Sequence, residues 1–406
     1  MYPRMLAPRV REALHDTPVV AISGPRQSGK TTLARQFVGR SRQFVNLDDL
    51  SILAAAKADP VGFVARLDKA VIDEIQRAPE LLLPIKQSVD ADRRPGRFLL
   101  TGSANIFTMP RIMESLAGRV ESLELYPLAA NEIERRSRSK FFDRVFSGGI
   151  PDTSEKFAPT QIESLLAGGY PAALARRQAH RQRVWYRAYV RSLVDKDVAE
   201  VARLDKLTRF PRLIAVAAQL SAQLVNLSEI ARHVQLDYKT VDHYLTVLER
   251  LYVLRRLAPW HRNELKRIIK TPKLHFIDAG LLTTVRGLEP AALALDRTRL
   301  GPILESYVFG ELLKLGTVAH QELHFFHYRD KDQVEVDFVV ETSAGELIGI
   351  EVKSAATVQA TDFRGLERLR ALSGRQFRQG IVLYTGSKAL PFGDRLTAMP
   401  LSSLAH

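Results

Sequence analysis

Three groups of residues in this sequence have the types and spacing that chemistry needs. The first is the run "GPRQSGKTT", comprising Gly24, Pro25, Arg26, Gln27, Ser28, Gly29, Lys30, Thr31 and Thr32. It follows a short apolar run, Val19 to Ile22, and precedes a helical pattern that begins near Thr31. In that setting the glycines let backbone amides wrap phosphate groups, Lys30 reaches the terminal phosphates, and the Thr31 hydroxyl is placed to ligate magnesium. The second group is "VIDEIQ", where Asp73 and Glu74 end another apolar run. Asp73 is expected to hold Mg²⁺, directly or through water, and Glu74 to polarise the attacking water. An acid pair of this kind also serves simply as a helix cap.

The third group lies near the far end, in "VEVDFVV" and "LIGIEVK". Alternation with period two sets Glu335 and Asp337 on one face of a strand and Val334, Val336 and Phe338 on the other. In the next strand Ile348, Ile350 and Val352 point inward and leave Glu351 and Lys353 together. If the two strands pair, Asp337 and Glu351 share a divalent metal, Mg²⁺ or Mn²⁺, and Lys353 stabilises charge or orients the water. Glu305, on the preceding helical stretch, completes the acidic cluster. The bland alternative is a half-buried strand pair whose outer face is merely charged.

Further candidates surround the first site. The strand "RFLLTGSAN" carries Thr101, Ser103 and Asn105 at its carboxyl end, where ligands of open α/β sheets gather. Ser103 and Asn105 are candidate sensors of the γ-phosphate, although turn formation alone also accounts for them. Arg119, in "LAGRV", is a candidate arginine finger.

The elements that must hold these groups read as an α/β protein in several parts. From about Thr17 to Arg138, apolar runs alternate with helical patterns, which implies a parallel sheet covered by helices. The expected division is an N-terminal phosphate-binding domain over 1–138, a linker over 139–160, a helical region over 161–224, a helix-turn-helix with a wing over 225–272, and an α/β domain over 273–406. In the fourth part, Ser228 is expected to cap a first helix with Ile230, Ala231 and Val234 inward, and Asp237 a second with Val241, Tyr244, Leu245 and Leu248 inward. The second helix then offers Tyr238, Lys239, Thr240 and His243 to a nucleic-acid groove. Two basic stretches flank it. Arg176 to Arg191 contains no acid, and the other supplies Arg255, Arg256, Arg262, Lys266 and Arg267. Such residues give affinity through phosphates, but a solvated helix face reads the same way.

The runs "GPRQSGKTTL", "VIDEIQ", "LLTGSAN", "LAGRV" and "LYPL", with the later "GGYP" and "RAYVRSLVDKDV", resemble the prokaryotic AAA-type P-loop ATPases that carry a C-terminal domain of unknown function. The resemblance covers nearly the whole chain. It implies a P-loop NTPase sheet, ATP and Mg²⁺ as cofactors, and a nucleotide site at Lys30, Asp73 and Glu74. After about Gly301 the order helix, three strands, helix, strand resembles the PD-(D/E)xK nuclease core, which implies a restriction-endonuclease-like domain.

Composition sets the outer bounds. A chain of 406 residues exceeds one ordinary core, and 46% hydrophobic with 26% charged residues is an ordinary globular balance. No apolar run approaches the roughly 18 residues of a membrane span, and Arg4, Arg9, Arg11 and Glu12 break up the place where a signal peptide would need its apolar core. A cytoplasmic protein is expected. With no cysteine, thiolate metal sites and thiol nucleophiles are excluded. The net charge of +14 favours polyanions. The expected partner is therefore nucleic acid, DNA before RNA; a homo-oligomer is a separate expectation that charge does not supply. Two other readings stay open: an ATP-dependent DNA-binding regulator or signalling switch with an inactive nuclease fold, and a protein-binding ATPase.

Overall fold

The structure is a computed structural model that describes residues 2–102, 116, 118–136, 139–149, 163, 165–198, 207–263, 267, 271–289, 293 and 297–405. It divides into two compact units. The first comprises residues 1–128 with 250–252, and the second comprises 129–249 with 253–406.

The first unit is built on five strands, β1 (Val19–Ser23), β2 (Gln43–Asn46), β3 (Ala70–Asp73), β4 (Phe98–Gly102) and β5 (Val120–Glu124). Their order is β2-β3-β4-β1-β5 and every pairing is parallel. Each residue of β1, β3 and β4 is buried, which explains why those runs are continuously apolar instead of alternating. In a parallel sheet all strands finish at the same edge, so the loop after β1 and the acids after β3 must be neighbours.

In the second unit three strands, β6 (Gln223–Leu224), β7 (Leu254–Leu257) and β8 (Lys273–Phe276), form an antiparallel sheet of order β6-β8-β7. Between β6 and β7 run the helices Leu227–Val234 and Tyr238–Arg250. Ile230, Ala231 and Val234 of the first are buried, as are Val241, Tyr244, Leu245 and Leu248 of the second. Asn226, not Ser228, caps the first helix by accepting from the Glu229 N–H at 3.1 Å. The helix therefore begins one residue before Ser228, which lies in its first turn. Asp237 takes the Thr240 N–H at 2.9 Å.

The rest of the unit is a six-stranded sheet of β9 (Leu323–Arg329), β10 (Glu335–Thr342), β11 (Leu347–Lys353), β12 (Phe377–Tyr384), β13 (Leu390–Gly393) and β14 (Leu396–Pro400). Its order is β13-β14-β12-β11-β10-β9. Strands β9, β10 and β11 pair antiparallel, and β12 joins β11 in parallel after the helix Arg364–Ser373. The helix Leu300–Gly316 precedes the sheet.

A register shift between Val336 and Val339 in β10 breaks the expected alternation. Val336 and Val339 both enter the core with Leu366 and Leu369, whereas Phe338 stacks on Phe309 at 5.7 Å. Phe338 thus packs apart from Val336, contrary to the two-residue period. The stretch expected as a linker also differs. It contains a helix, Phe141–Phe146, with Phe141, Phe142 and Val145 buried; residues 150–160 lie outside the described residues.

Candidate functional site

The loop after β1 owes its path to two glycines. Gly24 has φ 153°, and a Cβ there would meet the Leu125 carbonyl oxygen at 2.1 Å; Gly29 has φ 100°. Lys30 is buried and its Nζ donates to the carbonyls of Gly24 at 3.0 Å and Pro25 at 2.8 Å. The ammonium is thereby aimed along the loop. Thr31 Oγ1 donates to Asp73 Oδ1 at 3.1 Å, which brings the loop hydroxyl and the strand-end acid together. Thr101, at the end of β4, also donates to Asp73 Oδ1, and it accepts the Glu74 N–H at 3.2 Å. Glu74 lies just past Asp73 in a left-handed conformation, φ 58°, with its carboxylate bonded to the Gln76 amide. A hydroxyl and a carboxylate side by side at the edge of the phosphate loop are donors of the kind magnesium takes, so these residues fit that ion.

Sequence reasoning missed two members of this site. Arg4 donates to the Ser28 carbonyl at 2.7 Å and the Tyr126 carbonyl at 2.6 Å, bracing the loop from outside. Tyr252 shares a hydrogen bond with Ser23 Oγ at 2.9 Å and donates to Glu124 at 3.1 Å. Neither belongs to a motif. Arg119, the candidate arginine finger, lies away from this chain's own phosphate loop. It precedes β5, at the edge of the sheet opposite the phosphate loop, where its guanidinium grips both Asp90 oxygens at 2.5 and 3.0 Å. Ser103 and Asn105 lie outside the described residues.

On the helix Tyr238–Arg250, Tyr238, Lys239 and His243 are exposed, and Thr240 bonds back to Asp237. In the helix Ala179–Ser192, Trp185, Tyr186 and Tyr189 are buried while Arg181, Arg187 and Arg191 face solvent. Two arginines of the other basic stretch are committed elsewhere. Arg256 binds Glu249 at 2.6 Å and also Asp242, and Arg267 pairs with Glu341 while lying 4.8 Å from the centre of the Phe326 ring. Both guanidiniums are thus held by carboxylates of the chain itself. Lys266 lies outside the described residues.

The second unit brings Glu305, Asp337, Glu351 and Lys353 into one neighbourhood, with a residue that the sequence did not single out. Lys273, the first residue of β8, places its Nζ 2.5 Å from Glu305 Oε1 and 3.2 Å from Asp337 Oδ1. Asp337 Oδ2 accepts the Val352 N–H at 2.9 Å, and Glu351 binds Lys353 at 2.9 Å. Burial alone would lower the Lys273 ammonium, but the charges of Asp337 and Glu305 outweigh it and hold it above its usual range. Burial, reinforced by Asp337, pushes the Glu351 carboxyl up to about 8. His275 is pushed well below its usual value by burial and by Lys273, so the imidazole is neutral. Among the described residues, no three His, Cys, Asp or Glu side chains are grouped so as to hold a metal ion. Lys273 takes the space between Glu305 and Asp337 and Lys353 binds Glu351, so the divalent ion expected on Asp337 and Glu351 has no grouped donor set here.

Three family models match the chain. An AAA domain covers residues 16–134, a domain of unknown function (DUF8612) covers 158–292, and another (DUF4143) covers 300–404. Over 404 residues the chain is 31% identical to an uncharacterized protein of Mycobacterium tuberculosis and to one of Mycobacterium bovis, spanning 99% of this chain and 84% of each of theirs. The chain belongs to their family. In this family member the N-terminal part is an AAA-type P-loop ATPase domain. Among solved structures, a DNA clamp loader delta protein of Bacillus subtilis matches with TM-score 0.26 at 11% identity, over 73% of this chain and 99% of that one. RuvB of Thermotoga maritima matches with TM-score 0.24 at 17% identity, over 62% and 85%. Those scores are too low to carry an argument. No helix among the described residues is long and apolar enough to cross a membrane.

Proposed function

We propose that the chain is a magnesium-dependent ATP hydrolase that binds nucleic acid, DNA before RNA, and carries a nuclease-like core at its C-terminal end. The observation that carries the ATPase reading is the Thr31–Asp73 contact at the mouth of the phosphate loop. Bound magnesium neutralises phosphate charge, and Thr31 and Asp73 are the residues that would hold it. Lys30 meets the terminal phosphates, and Glu74 accepts the proton of the attacking water. The test is steady-state ATP hydrolysis by the purified chain with and without Mg²⁺; an Asp73→Asn variant as active as wild type would sink the assignment.

The nucleic-acid reading is supported by the helix Phe210–Gln219, the two capped helices and the β6-β8-β7 sheet, which follow one another in the order of a winged helix. Exposed Tyr238, Lys239 and His243 give the second capped helix a groove-facing surface. Duplex DNA binding is expected to weaken with salt, and Lys239→Ala to lower the salt slope by about one if it meets a single phosphate. Folded protein that binds no duplex at low salt would favour the protein-binding reading.

The order helix, three antiparallel strands, helix, parallel strand over 300–384 supports the restriction-endonuclease-like assignment. One observation favours the reading in which this core does not cut: Lys273 holds the space between Glu305 and Asp337. Wild-type protein with Mg²⁺ or Mn²⁺ is therefore expected to leave plasmid, single-stranded DNA and RNA intact. Cutting that EDTA stops and Lys353→Ala abolishes would restore the active reading.

A further inference from the structure

We propose that Tyr252, which lies outside the residues 16–134 that match an AAA domain, is a positioning residue for ATP: its hydroxyl holds the strand ends from which the phosphate loop springs. The inference rests on the ATPase reading. Residues 250–252 belong to the first unit although the chain on either side of them belongs to the second. Tyr252 is buried there at φ 58°, a left-handed conformation that strains a residue with a side chain. Its ring meets that of Tyr126 edge-on at 5.7 Å. Such strain persists only where the surrounding contacts over-determine it.

Those contacts reach the phosphate loop by two routes. Ser23 and Glu124 are register partners at the ends of β1 and β5, and the Tyr252 hydroxyl lies 2.9 Å from Ser23 Oγ and 3.1 Å from Glu124 Oε1. A phenol has one proton, and here it goes to the carboxylate, so the Ser23 hydroxyl donates to the Tyr252 oxygen. Tyr126 donates to the other Glu124 oxygen at 2.6 Å. Hydrogen bonds chained in this way strengthen one another. Ser23 is the residue before Gly24, so the first route enters the loop at its start. The second runs through residues 124–126. Gly24 packs so closely on Leu125 that a Cβ would meet its carbonyl oxygen at 2.1 Å, and Arg4 ties the Tyr126 carbonyl to that of Ser28. Gly24 and Ser28 therefore both rest on the segment that Tyr252 grips. Lys30 takes its aim from the carbonyls of Gly24 and Pro25, so a shift at the start of the loop moves the cation as well. Asp73 and Glu74 follow β3, which β4 separates from β1, so loosening the loop falls on phosphate binding before it reaches the water-activating acid.

The experiment measures binding of a fluorescent ATP analogue and steady-state ATP hydrolysis by the full-length chain, with thermal unfolding of the nucleotide-free protein in parallel. Tyr252→Phe keeps the ring and removes only the hydroxyl. It is expected to weaken the analogue about tenfold, the size of one buried hydrogen bond, with the loss in hydrolysis falling on KM more than on kcat. Ser23→Ala removes the same bond from its other end and should weaken binding similarly, and the double variant should lose clearly less than the two single losses combined. Val89→Ala, a truncation of a buried side chain on the helix Leu82–Ala91, should lower stability without lowering affinity. A folded Tyr252→Phe that binds the analogue as wild type does, full additivity with Ser23→Ala, or an equal loss of affinity in Val89→Ala would each overturn the proposal. Should Tyr252→Phe fail to fold, Ser23→Ala carries the test, and wild-type affinity there overturns it. A folded wild type that binds no nucleotide would instead remove the ATPase reading and this proposal with it.

Discussion

Lys30→Ala is expected to lose most nucleotide binding, while Glu74→Gln keeps ATP and hydrolyses it about 10²- to 10⁴-fold more slowly, the range that a general base contributes. The two residues lie at the same sheet edge but do different work. Lys30 is buried with its ammonium on the Gly24 and Pro25 carbonyls, and its removal would take from the loop the cation proposed to meet the terminal phosphates. Glu74 stands one residue beyond the magnesium-binding candidate Asp73, and the amide of Gln76 holds its carboxylate. An amide in its place keeps the shape and loses the proton acceptor. Equilibrium binding of a fluorescent ATP analogue, set beside single-turnover hydrolysis, separates the roles. Equal loss of affinity in both variants would contradict them, provided circular dichroism finds both folded.

What the sequence could and could not disclose follows from how each group is held. The phosphate loop is contiguous, and its glycines, lysine and threonine are all local requirements, so it is readable in nine residues. Asp73 is readable because parallel strands finish at one edge, and the same rule places Arg119, which precedes a strand, at the edge opposite this chain's own phosphate loop. Arg4 braces Ser28 from 24 residues away, with no spacing rule to betray it. Lys273 is harder still. Its partners come from two later elements, and nothing in "TPKLHF" distinguishes a lysine at a strand start from an ordinary solvated one. The alternation in "VEVDFVV" put Asp337 with its acidic neighbours, but the shift after Val336 that moves Phe338 onto Phe309 has no residue that marks it.

Gly365→Ala is expected to destabilise the second unit by about 3 kcal/mol, the upper end of what overpacking a core costs. Gly365 lies in the first turn of the helix Arg364–Ser373, and a Cβ there would fall 1.9 Å from the carbonyl oxygen of Glu335 and 3.1 Å from Val336 Cγ2. The obstacle is backbone, which cannot rotate aside as a side-chain tip would, so the helix must lift from β10. That strand carries Asp337 two residues on, and lifting the helix opens the core in which Leu366 and Val336 meet Trp260. Both tryptophans of the chain, Trp185 and Trp260, belong to the second unit, so their fluorescence in urea reports this unit and not the nucleotide domain. Gly301 is the control. It also lies at the start of a helix, a Cβ there meets nothing within 4 Å, and alanine should be neutral or stabilising by up to about 1 kcal/mol. A Gly365→Ala midpoint equal to that of Gly301→Ala would mean that the helix does not press on β10 as closely as these contacts require.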